Sequence, residues 1–522
     1  MSREIRTRGQ GLRGLHVGRL SPCGLHSDAR RSRSLHARLV PPALVALCGV
    51  ALVLALAACG SGGSSTTTLP ASSTSTTTSI STSTTSISTS TSATTPTSVS
   101  PSTTSPATAD DWPTYHHDAS RSGVSSDQVA LGSVKQAWVS TALDGALYAE
   151  PLVVAGHVLV ATESNSVYSL DASSGAVLWH VNLGAPVPLS MLQCGNIDPS
   201  GITGTPVVDV PSGTIYVAAF LRTGPHHELF ALDLGTGAVR WHRAIDPPGL
   251  SPLVEQERGA LALAGGRVYV PFGGLYGDCG QYQGAVVSAA TEGSGALASY
   301  EVPTKRMAGI WNPGGPVVDA NGDIWVTTGN SASQSTFDFG NAVIRLSPQL
   351  KVLDYFAPTD WASLNAGDLD LGSLGPVLLP NGRVLAVGKT GVAYLLDAAK
   401  LGQVGAPLAS AQVNSSAFGA AATLGSMAFV PCSGALVAVQ TAGDKITIAW
   451  RLSGGSGPPI VAGGAVWSLG HNGRLSAVDP ASGAVRFSAQ LTAPASRFFS
   501  LAAAGGRLFV ADGTSIAAFT LR

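Results

Sequence analysis

The chain has 522 residues, of which 44% are apolar and only 12% are charged, so it can bury a large core and is too apolar to be disordered throughout. Its formal net charge of −1 combines nine arginines within residues 1–38 with a remainder that carries a charge of about −8. This distribution, with no basic stripe among aromatic residues, argues for export and excludes a nucleic-acid-binding class.

The first predicted element is an export signal. An Arg-rich segment ending in ARRSRSLHAR precedes the apolar stretch LVPPALVALCGVALVLALAAC. The stretch is long enough for a retained membrane anchor, which is the alternative. Its end, Leu56-Ala57-Ala58-Cys59-Gly60, resembles a bacterial lipobox, in which the cysteine is lipidated and becomes the first residue after cleavage. We expect a signal peptide over 1–58 and an extracytoplasmic lipoprotein anchored to the bacterial cell membrane through Cys59.

The second predicted element is a linker. Residues 60–109 are almost all Ser, Thr, Gly, Ala and Pro, with no apolar surface to bury against the entropy of ordering the chain. Together with the lipidated cysteine, residues 59–109 are therefore predicted to form a disordered tether for the folded body that begins at residue 110.

The folded body contains a repeated hairpin. The runs NSVYSLDASSGAVLW (165–179), HELFALDLGTGAVRW (227–241) and NGRLSAVDPASGAVRF (472–487) share one pattern: a β-rich run, Asp, small turn residues, Gly and a second β-rich run. This pattern predicts a β-hairpin with a type I turn and a glycine bulge. The aspartate is expected to cap the turn, and the recurring tryptophans of the outer strand are expected to dock one repeat on the next.

Two further strands precede each hairpin, so one repeat is a four-stranded blade of about 40–60 residues. Degenerate copies fill the gaps and give eight blades between about 145 and 522. The last copy is one strand short, and the run VKQAWVSTAL (134–143) has the composition to supply it. We predict an all-β fold: an eight-bladed β-propeller of four-stranded antiparallel blades whose ring is closed by an N-terminal strand.

The pattern YxLDxxTGxxxW, preceded by DWPTYHHDASRSG, resembles the pyrroloquinoline-quinone (PQQ) repeat of the eight-bladed quinoprotein alcohol dehydrogenase-like superfamily. The resemblance covers 110–522 and is specific for architecture. The superfamily contains calcium–PQQ dehydrogenases, an outer-membrane assembly lipoprotein and many lipoproteins without an assigned activity, so it implies a fold more firmly than an activity.

The dehydrogenases of this superfamily hold Ca²⁺ with a Glu, an Asn and an Asp that also acts as catalytic base, which suits a cation that prefers oxygen ligands. By resemblance, DIWVTTGN places Asn330 at the asparagine position, and APTDWASLNAGDLDLGSLGPVLL offers Asp360, Asp368 or Asp370. On this alternative the base is Asp360 or Asp370, Asn330 and Asp368 bind the metal, and PQQ is held by the four residues Asn330, Trp311, Arg306 and Asp278.

Two features weaken that alternative. Cys279 falls at the position of the calcium glutamate, and no two cysteines are adjacent, so the disulfide that covers PQQ in those enzymes has no counterpart. Irregular inserts between the predicted strands carry Cys194 and Cys279, for which we predict a disulfide bond that closes a loop of about 85 residues. Cys432 is then left as a buried free thiol.

The sequence therefore favours a monomeric, non-catalytic binding or scaffolding module, with a protein, glycan or small-molecule ligand at the mouth of the propeller. A PQQ- and Ca²⁺-dependent oxidoreductase acting on alcohols or sugars remains the alternative. The inserts support either function, because loops longer than a propeller needs tend to be functional.

Overall fold

A computed structural model describes residues 110–127, 129–494 and 498–522. These residues form an all-β propeller of eight antiparallel blades, which confirms the predicted fold class. The predicted signal peptide, the lipidation site Cys59 and the linker lie outside the described residues. Within the described part of the chain, no helix has the length and apolarity needed to cross a membrane.

Each blade runs from a short strand beside the central channel to a strand at the outer edge. The first strand in the described part of the chain, β1 (Lys135–Val139), belongs to the last blade. Blade 1 contains β2 (Leu152–Val154), β3 (His157–Ala161), β4 (Ser166–Asp171) and β5 (Val177–Asn182). Blade 2 contains β6 (Val207–Asp209), β7 (Thr214–Leu221), β8 (His226–Asp233) and β9 (Val239–Ala244). Blade 3 contains β10 (Glu255–Gln256), β11 (Ala262–Ala264), β12 (Arg267–Gly274), β13 (Ala285–Ala290) and β14 (Ala298–Glu301).

The second half of the ring follows the same order. Blade 4 contains β15 (Val317–Val318), β16 (Ile324–Thr327), β17 (Val343–Leu346) and β18 (Val352–Ala357). Blade 5 contains β19 (Val377–Leu379), β20 (Arg383–Val387), β21 (Val392–Asp397) and β23 (Ala409–Gln412), while β22 (Gln403–Val404) pairs in parallel with β18. Blade 6 contains β24 (Ala422–Leu424), β25 (Met427–Cys432), β26 (Ala435–Ala442) and β27 (Lys445–Ser453). Blade 7 contains β28 (Ile460–Ala462), β29 (Ala465–Leu469), β30 (Arg474–Val478) and β31 (Val485–Gln490), and blade 8 contains β32 (Leu501–Ala504), β33 (Arg507–Asp512) and β34 (Ser515–Thr520).

The N-terminal strand closes the ring as predicted. β1 pairs antiparallel with β34, with Lys135 opposite Thr520 and Val139 opposite Ala517, and so becomes the outer strand of blade 8. The strand that precedes blade 1 and the last strand of the chain thus pair within one sheet, and the edge of β34 is paired instead of exposed.

Tryptophans on outer strands lock neighbouring blades together, as the repeat predicted. The indole N–H donates to a carbonyl oxygen in the hairpin turn of the next blade, from Trp179 to Leu234 (3.0 Å), from Trp241 to Thr291 (3.1 Å) and from Trp450 to Pro480 (2.8 Å). Each ring lies on the bulge glycine of that turn. A β-carbon on Gly237, for example, would stand 2.6 Å from the ring of Trp179. Glycine is required there by the packing as well as by its φ of 71°.

The same contact between a tryptophan and a turn glycine joins blade 8 to blade 1, where the sequence repeat does not indicate it. Trp138 of β1 donates its indole N–H to the carbonyl oxygen of Ala172 in blade 1 (3.2 Å) and lies against Gly175. The caps of the turns are also as predicted, since Asp171 Oδ1 accepts backbone N–H groups of Ser173 and Ser174 at 3.1 and 2.8 Å. The repeated residues therefore have structural roles.

The irregular segments lie on one face of the propeller. Because neighbouring strands are antiparallel, the connection between two blades and the turn between the second and third strands of a blade share one face, here called the upper face. The other turns form the lower face. The predicted inserts all fall on the upper face, where the helix α1 (Trp361–Ala366) and the 3-10 segments Leu189–Met191 and Leu371–Ser373 are also found, while the 3-10 segment Pro380–Gly382 is a turn of the lower face.

A segment that the sequence analysis placed ahead of the first blade fills the central channel. This N-terminal plug, residues 111–125, forms backbone hydrogen bonds with the innermost strands of blades 1, 2, 4, 6 and 7 through the pairs Trp112–Val153, Pro113–Val208, Ala119–Val318, Ser122–Thr423 and Gly123–Val461. At its start, Asp111 accepts the backbone N–H of Ala155 in a lower-face turn (2.9 Å). The chain therefore enters the propeller from the lower face, opposite the inserts.

A buried carboxyl group holds the plug in place. Glu150 Oε1 accepts the indole N–H of Trp112 at 2.6 Å and the backbone N–H of His116 at 2.8 Å. Burial raises the pKa of Glu150 to about 8, although these two hydrogen bonds act in the opposite direction. Tyr115 packs on Ala260 and Ala420 at the upper ends of blades 3 and 6, so the plug reaches the level at which the upper mouth begins.

Candidate functional site

The upper mouth contains a buried aspartate in the segment that joins blades 4 and 5. Asp370 is 3% exposed, and its Oδ1 accepts the backbone N–H of Asn330 at 2.5 Å. Its Oδ2 lies 2.7 Å from the ammonium nitrogen of Lys389, in the turn between β20 and β21. Burial raises the pKa of Asp370 although Lys389 and the Asn330 N–H oppose the shift. The carboxylate is thus paired inside the protein.

Lys389 gathers four of the residues that the sequence analysis proposed. Its ammonium nitrogen also lies 2.8 Å from Oδ1 of the exposed Asp368 and 5.9 Å from the ring centre of Trp311. Burial alone would lower the pKa of Lys389, but the two aspartates outweigh it and raise that pKa. Asn330, Asp368, Asp370 and Trp311 therefore do meet, around a lysine that the sequence analysis did not single out.

A second network, at the rim of the mouth, holds two other proposed residues. Arg306 donates Nε–H to the carbonyl oxygen of Gly280 at 2.8 Å, and its guanidinium also bonds the carbonyl oxygen of Asp278. Asp278 Oδ1 accepts the hydroxyl of Tyr282 at 2.6 Å. Arg306 and Asp278 thus join a blade connection to a neighbouring loop, and the guanidinium contacts backbone rather than a carboxylate.

The two candidates for a catalytic base lie in different surroundings. Asp360 is exposed at the start of α1, where its side chain caps no backbone group, and it faces Tyr394. Burial and, to a smaller extent, the charge of Asp360 raise the pKa of Tyr394 to about 12. Asp370 alone of the two lies against Asn330 and Lys389.

The predicted disulfide is present. Cys194, before blade 2, is bonded to Cys279, in a loop of blade 3, with a Cα–Cα distance of 6.0 Å. It joins two upper-face inserts beside Asp278. Cys432 is a free, buried thiol, also as predicted, and burial raises its pKa to about 12.

Sequence reasoning named Trp311 at the mouth but missed Phe498, whose ring lies beside it, and Phe418, whose ring lies beside Phe498. Phe498 lies edge-on to Trp311 and Phe418, with ring centres 6.4 and 6.3 Å apart. The guanidinium of Arg258 lies 4.2 Å from the centre of the Phe498 ring. The pair Phe498-Phe499 stands outside the repeat pattern, and that irregularity was the available signal.

It also missed two buried acids on the inner wall of the mouth. Glu163 follows β3 and is 1% exposed, whereas Glu257 precedes β11 and is 4% exposed. Burial raises the pKa of Glu163 to about 7 and raises that of Glu257 well above its usual value, with a smaller contribution from the charge of Glu163. Both glutamates stand in short polar stretches, TESN and EQER, and nothing in these stretches indicates that the two carboxyl groups come close enough to interact from two blades.

The residues at the mouth do not fit a bound calcium ion with PQQ. The Asp370 carboxylate is already engaged by the Lys389 ammonium and the Asn330 N–H, and a cation would compete with that ammonium. Cys279, at the position of the calcium glutamate, is committed to a disulfide. Across residues 110–127, 129–494 and 498–522, no three His, Cys, Asp or Glu side chains are grouped so that they could hold a metal ion.

Comparison with known proteins gives matches in family and fold. A family model described as outer membrane protein assembly factor BamB matches residues 126–346 and 427–521. No curated protein has a sequence that matches this chain. The gap between the matched ranges contains Asp370 and Lys389.

Among solved structures, a quinohemoprotein alcohol dehydrogenase of Pseudomonas putida HK5 is 13% identical, with a TM-score of 0.62 over 79% of this chain and 80% of its own. A quinohemoprotein alcohol dehydrogenase from Comamonas testosteroni is 16% identical, with a TM-score of 0.58 over 79% of this chain and 80% of its own. BamB from Moraxella catarrhalis is 17% identical, with a TM-score of 0.50 over 74% of this chain and 98% of its own. Identities this low show a shared fold.

Proposed function

This chain belongs to the family described as outer membrane protein assembly factor BamB, and from that premise we propose that its propeller is a non-catalytic binding or scaffolding module outside the cytoplasmic membrane. The proposal includes anchoring through a lipid on Cys59, because the lipobox and linker precede the propeller. The disulfide between Cys194 and Cys279 supports an oxidising compartment.

One observation carries the choice of a non-catalytic role. Asp370 is the only proposed base that lies against Asn330, and its two oxygens are occupied by the Asn330 N–H and the Lys389 ammonium. A metal ion at this carboxylate would have to compete with the Lys389 ammonium, which already neutralises its charge. This pairing serves instead to hold three upper-face segments in fixed positions.

The mouth is the surface that we assign to binding. It combines inserts from several blades, a disulfide, the aromatic rings of Trp311, Phe418 and Phe498, and charged groups partly removed from water, which is the usual make-up of a ligand site. The described part of the chain begins on the opposite, lower face, where Asp111 accepts the backbone N–H of Ala155.

Native mass spectrometry of the full chain, purified from a cell envelope without denaturation, tests the proposal. We expect a non-covalent complex with one ligand per chain, which Trp311→Ala releases. Leu424→Ala is the matched control, since it removes an exposed apolar side chain near the lower face and should leave the complex intact. A bare mass for the wild type, or a ligand retained in Trp311→Ala and lost in Leu424→Ala, would contradict the assignment.

A further inference from the structure

Two acids of the inner wall each have an oxygen atom without a hydrogen-bond partner. Glu163 Oε2 accepts the backbone N–H of Gly201 at 2.6 Å and the hydroxyl of Thr203 at 3.1 Å. Glu163 Oε1 and Glu257 Oε1 are buried and, within the described part of the chain, accept no hydrogen bond. A buried carboxylate oxygen without a donor costs roughly 1–3 kcal/mol or more, so such atoms are rare in folded proteins unless something occupies the position beside them.

The backbone next to these acids is kept free of side chains. Glu163 bonds to Gly201, and the backbone of Gly204 approaches both carboxylate oxygens of Glu257 so closely that a β-carbon at this position would overlap them. The segment 201–204 therefore places two glycines against the two carboxyl groups. A β-carbon at Gly204 would overlap the Glu257 carboxylate, and one at Gly201 would overlap the backbone carbonyl of Glu163.

The charge around the two acids is unbalanced. Arg258 is the cation whose charge acts on Glu163, and its guanidinium is stacked on Phe498. Tyr148 is the other titratable group near Glu163 and Arg258. With both carboxyl groups ionised, one negative charge is left over, and the orphaned oxygens both require donors. The missing partner is thus a donor that carries one positive charge.

The number of acids and the shape of the cation that they could hold indicate the chemical class of this partner. Among the described residues no three His, Cys, Asp or Glu side chains are grouped to hold a metal ion, and two glutamates are fewer side-chain ligands than a zinc site takes. A guanidinium is planar and broad, whereas an alkylammonium is compact and carries three donors that two carboxylates can share. Tyr148 is close enough to Glu163 for the charge of Glu163 to raise its pKa, and its ring lies edge-on to Phe499 (6.1 Å between ring centres), so the surroundings of the acids are partly aromatic.

We propose that Glu163 and Glu257, backed by Gly201 and Gly204, form a site for a primary ammonium group, which is carried by a small amine or by a lysine side chain of a partner. The site deepens the proposed binding function of the mouth and rests on it. It defines a ligand class, the alkylamines, that no feature of the repeat pattern indicates.

Binding at this site is coupled to protons. Burial raises the pKa of Glu163 to about 7 and raises that of Glu257 well above its usual value, so protons compete with a cation for these two carboxyl groups near neutral pH. An ammonium group favours the ionised pair and therefore displaces protons. Affinity should rise as pH increases from 6 to 8. The other groups near the pair are the Arg258 guanidinium and Tyr148, whose pKa burial raises further above this range.

Calorimetric titration of the full chain with methylammonium and cadaverine tests the proposal, with 1-pentanol as the neutral control. We expect one-to-one binding of the amines, none of the alcohol, and an affinity about tenfold higher at pH 8 than at pH 6. The enthalpy should differ between buffers of different ionisation heat, because protons are released. This measurement uses the wild type alone and does not depend on the folding of a variant.

Matched variants locate the site. Glu163→Gln and Glu257→Gln should each weaken amine binding by about tenfold or more, while Glu150→Gln, at an equally buried glutamate that holds the plug, should leave it unchanged. No amine binding up to about 10 mM at pH 8, or equal binding by Glu163→Gln and Glu257→Gln, would overturn the proposal. If native mass spectrometry shows a bound ligand without a basic nitrogen, this inference fails while the proposed function stands.

Discussion

Deletion of residues 135–139 from the full chain is expected to abolish the cooperative fold. The deletion removes the four pairs of β1 with β34 and the contact of Trp138 with blade 1. The segments on either side of β1 cannot take its place beside β34, because their own backbone groups are already bonded to blade 8, Gly132 to Leu521 and Ser140 to Ile516. Loss of one large aromatic contact and several ladder hydrogen bonds amounts to about 5 kcal/mol or more, which is comparable with the whole stability of many domains.

Thermal unfolding followed by circular dichroism, together with gel filtration, measures this effect. The matched control deletes five residues from the linker, at 80–84, and should unfold at the wild-type temperature. If the chain without 135–139 melted within a few degrees of the control as a monomer, β1 would not be the element that closes the ring.

Loss of the Cys194–Cys279 bond is expected to have the second largest effect. The two cysteines are 85 residues apart, for which chain entropy predicts a stabilisation of about 4–5 kcal/mol as an upper value. Cys194→Ser, Cys279→Ser and the double variant should therefore lose similar amounts of unfolding free energy. Chemical denaturation of each protein, with the linear extrapolation to zero denaturant, gives these values.

The buried free thiol supplies the control for that experiment. Cys432→Ala removes one sulfur atom from a packed core position and should lower the free energy of unfolding by about 1 kcal/mol. Because Cys432 forms no disulfide, this difference from the wild type should be the same with and without a reducing agent. A wild type that unfolds at the same denaturant concentration with and without reductant would show that the bond contributes no stability.

The ring could be predicted because the residues that determine each blade are close together in the sequence and recur along the chain. A hairpin needs an aspartate that caps the turn and a glycine at positive φ, and these stand at fixed distances from the outer-strand tryptophan in Asp233, Gly237 and Trp241. The closing strand could be predicted by counting, since the last blade was one strand short. The disulfide followed from the positions of Cys194 and Cys279 on two inserts.

The plug and the inner wall could not be predicted because they depend on contacts between distant parts of the chain. Trp112 reaches Glu150, and Lys389 is paired with Asp370 from a separate turn. In the sequence each of these residues is a single polar or aromatic residue with no periodicity. Glu163 and Glu257 come from blades 1 and 3, and only the closed ring brings them to the same wall.

A spectroscopic titration of the purified protein with PQQ in the presence of Ca²⁺, followed in the same sample by dye-linked oxidation of alcohols and sugars, tests the central claim most directly. Because Lys389 already pairs with Asp370, we predict no saturable binding at micromolar PQQ and no turnover. One-to-one, calcium-dependent binding with turnover that Asn330→Ala abolishes would contradict a non-catalytic mouth and make this propeller a quinoprotein dehydrogenase.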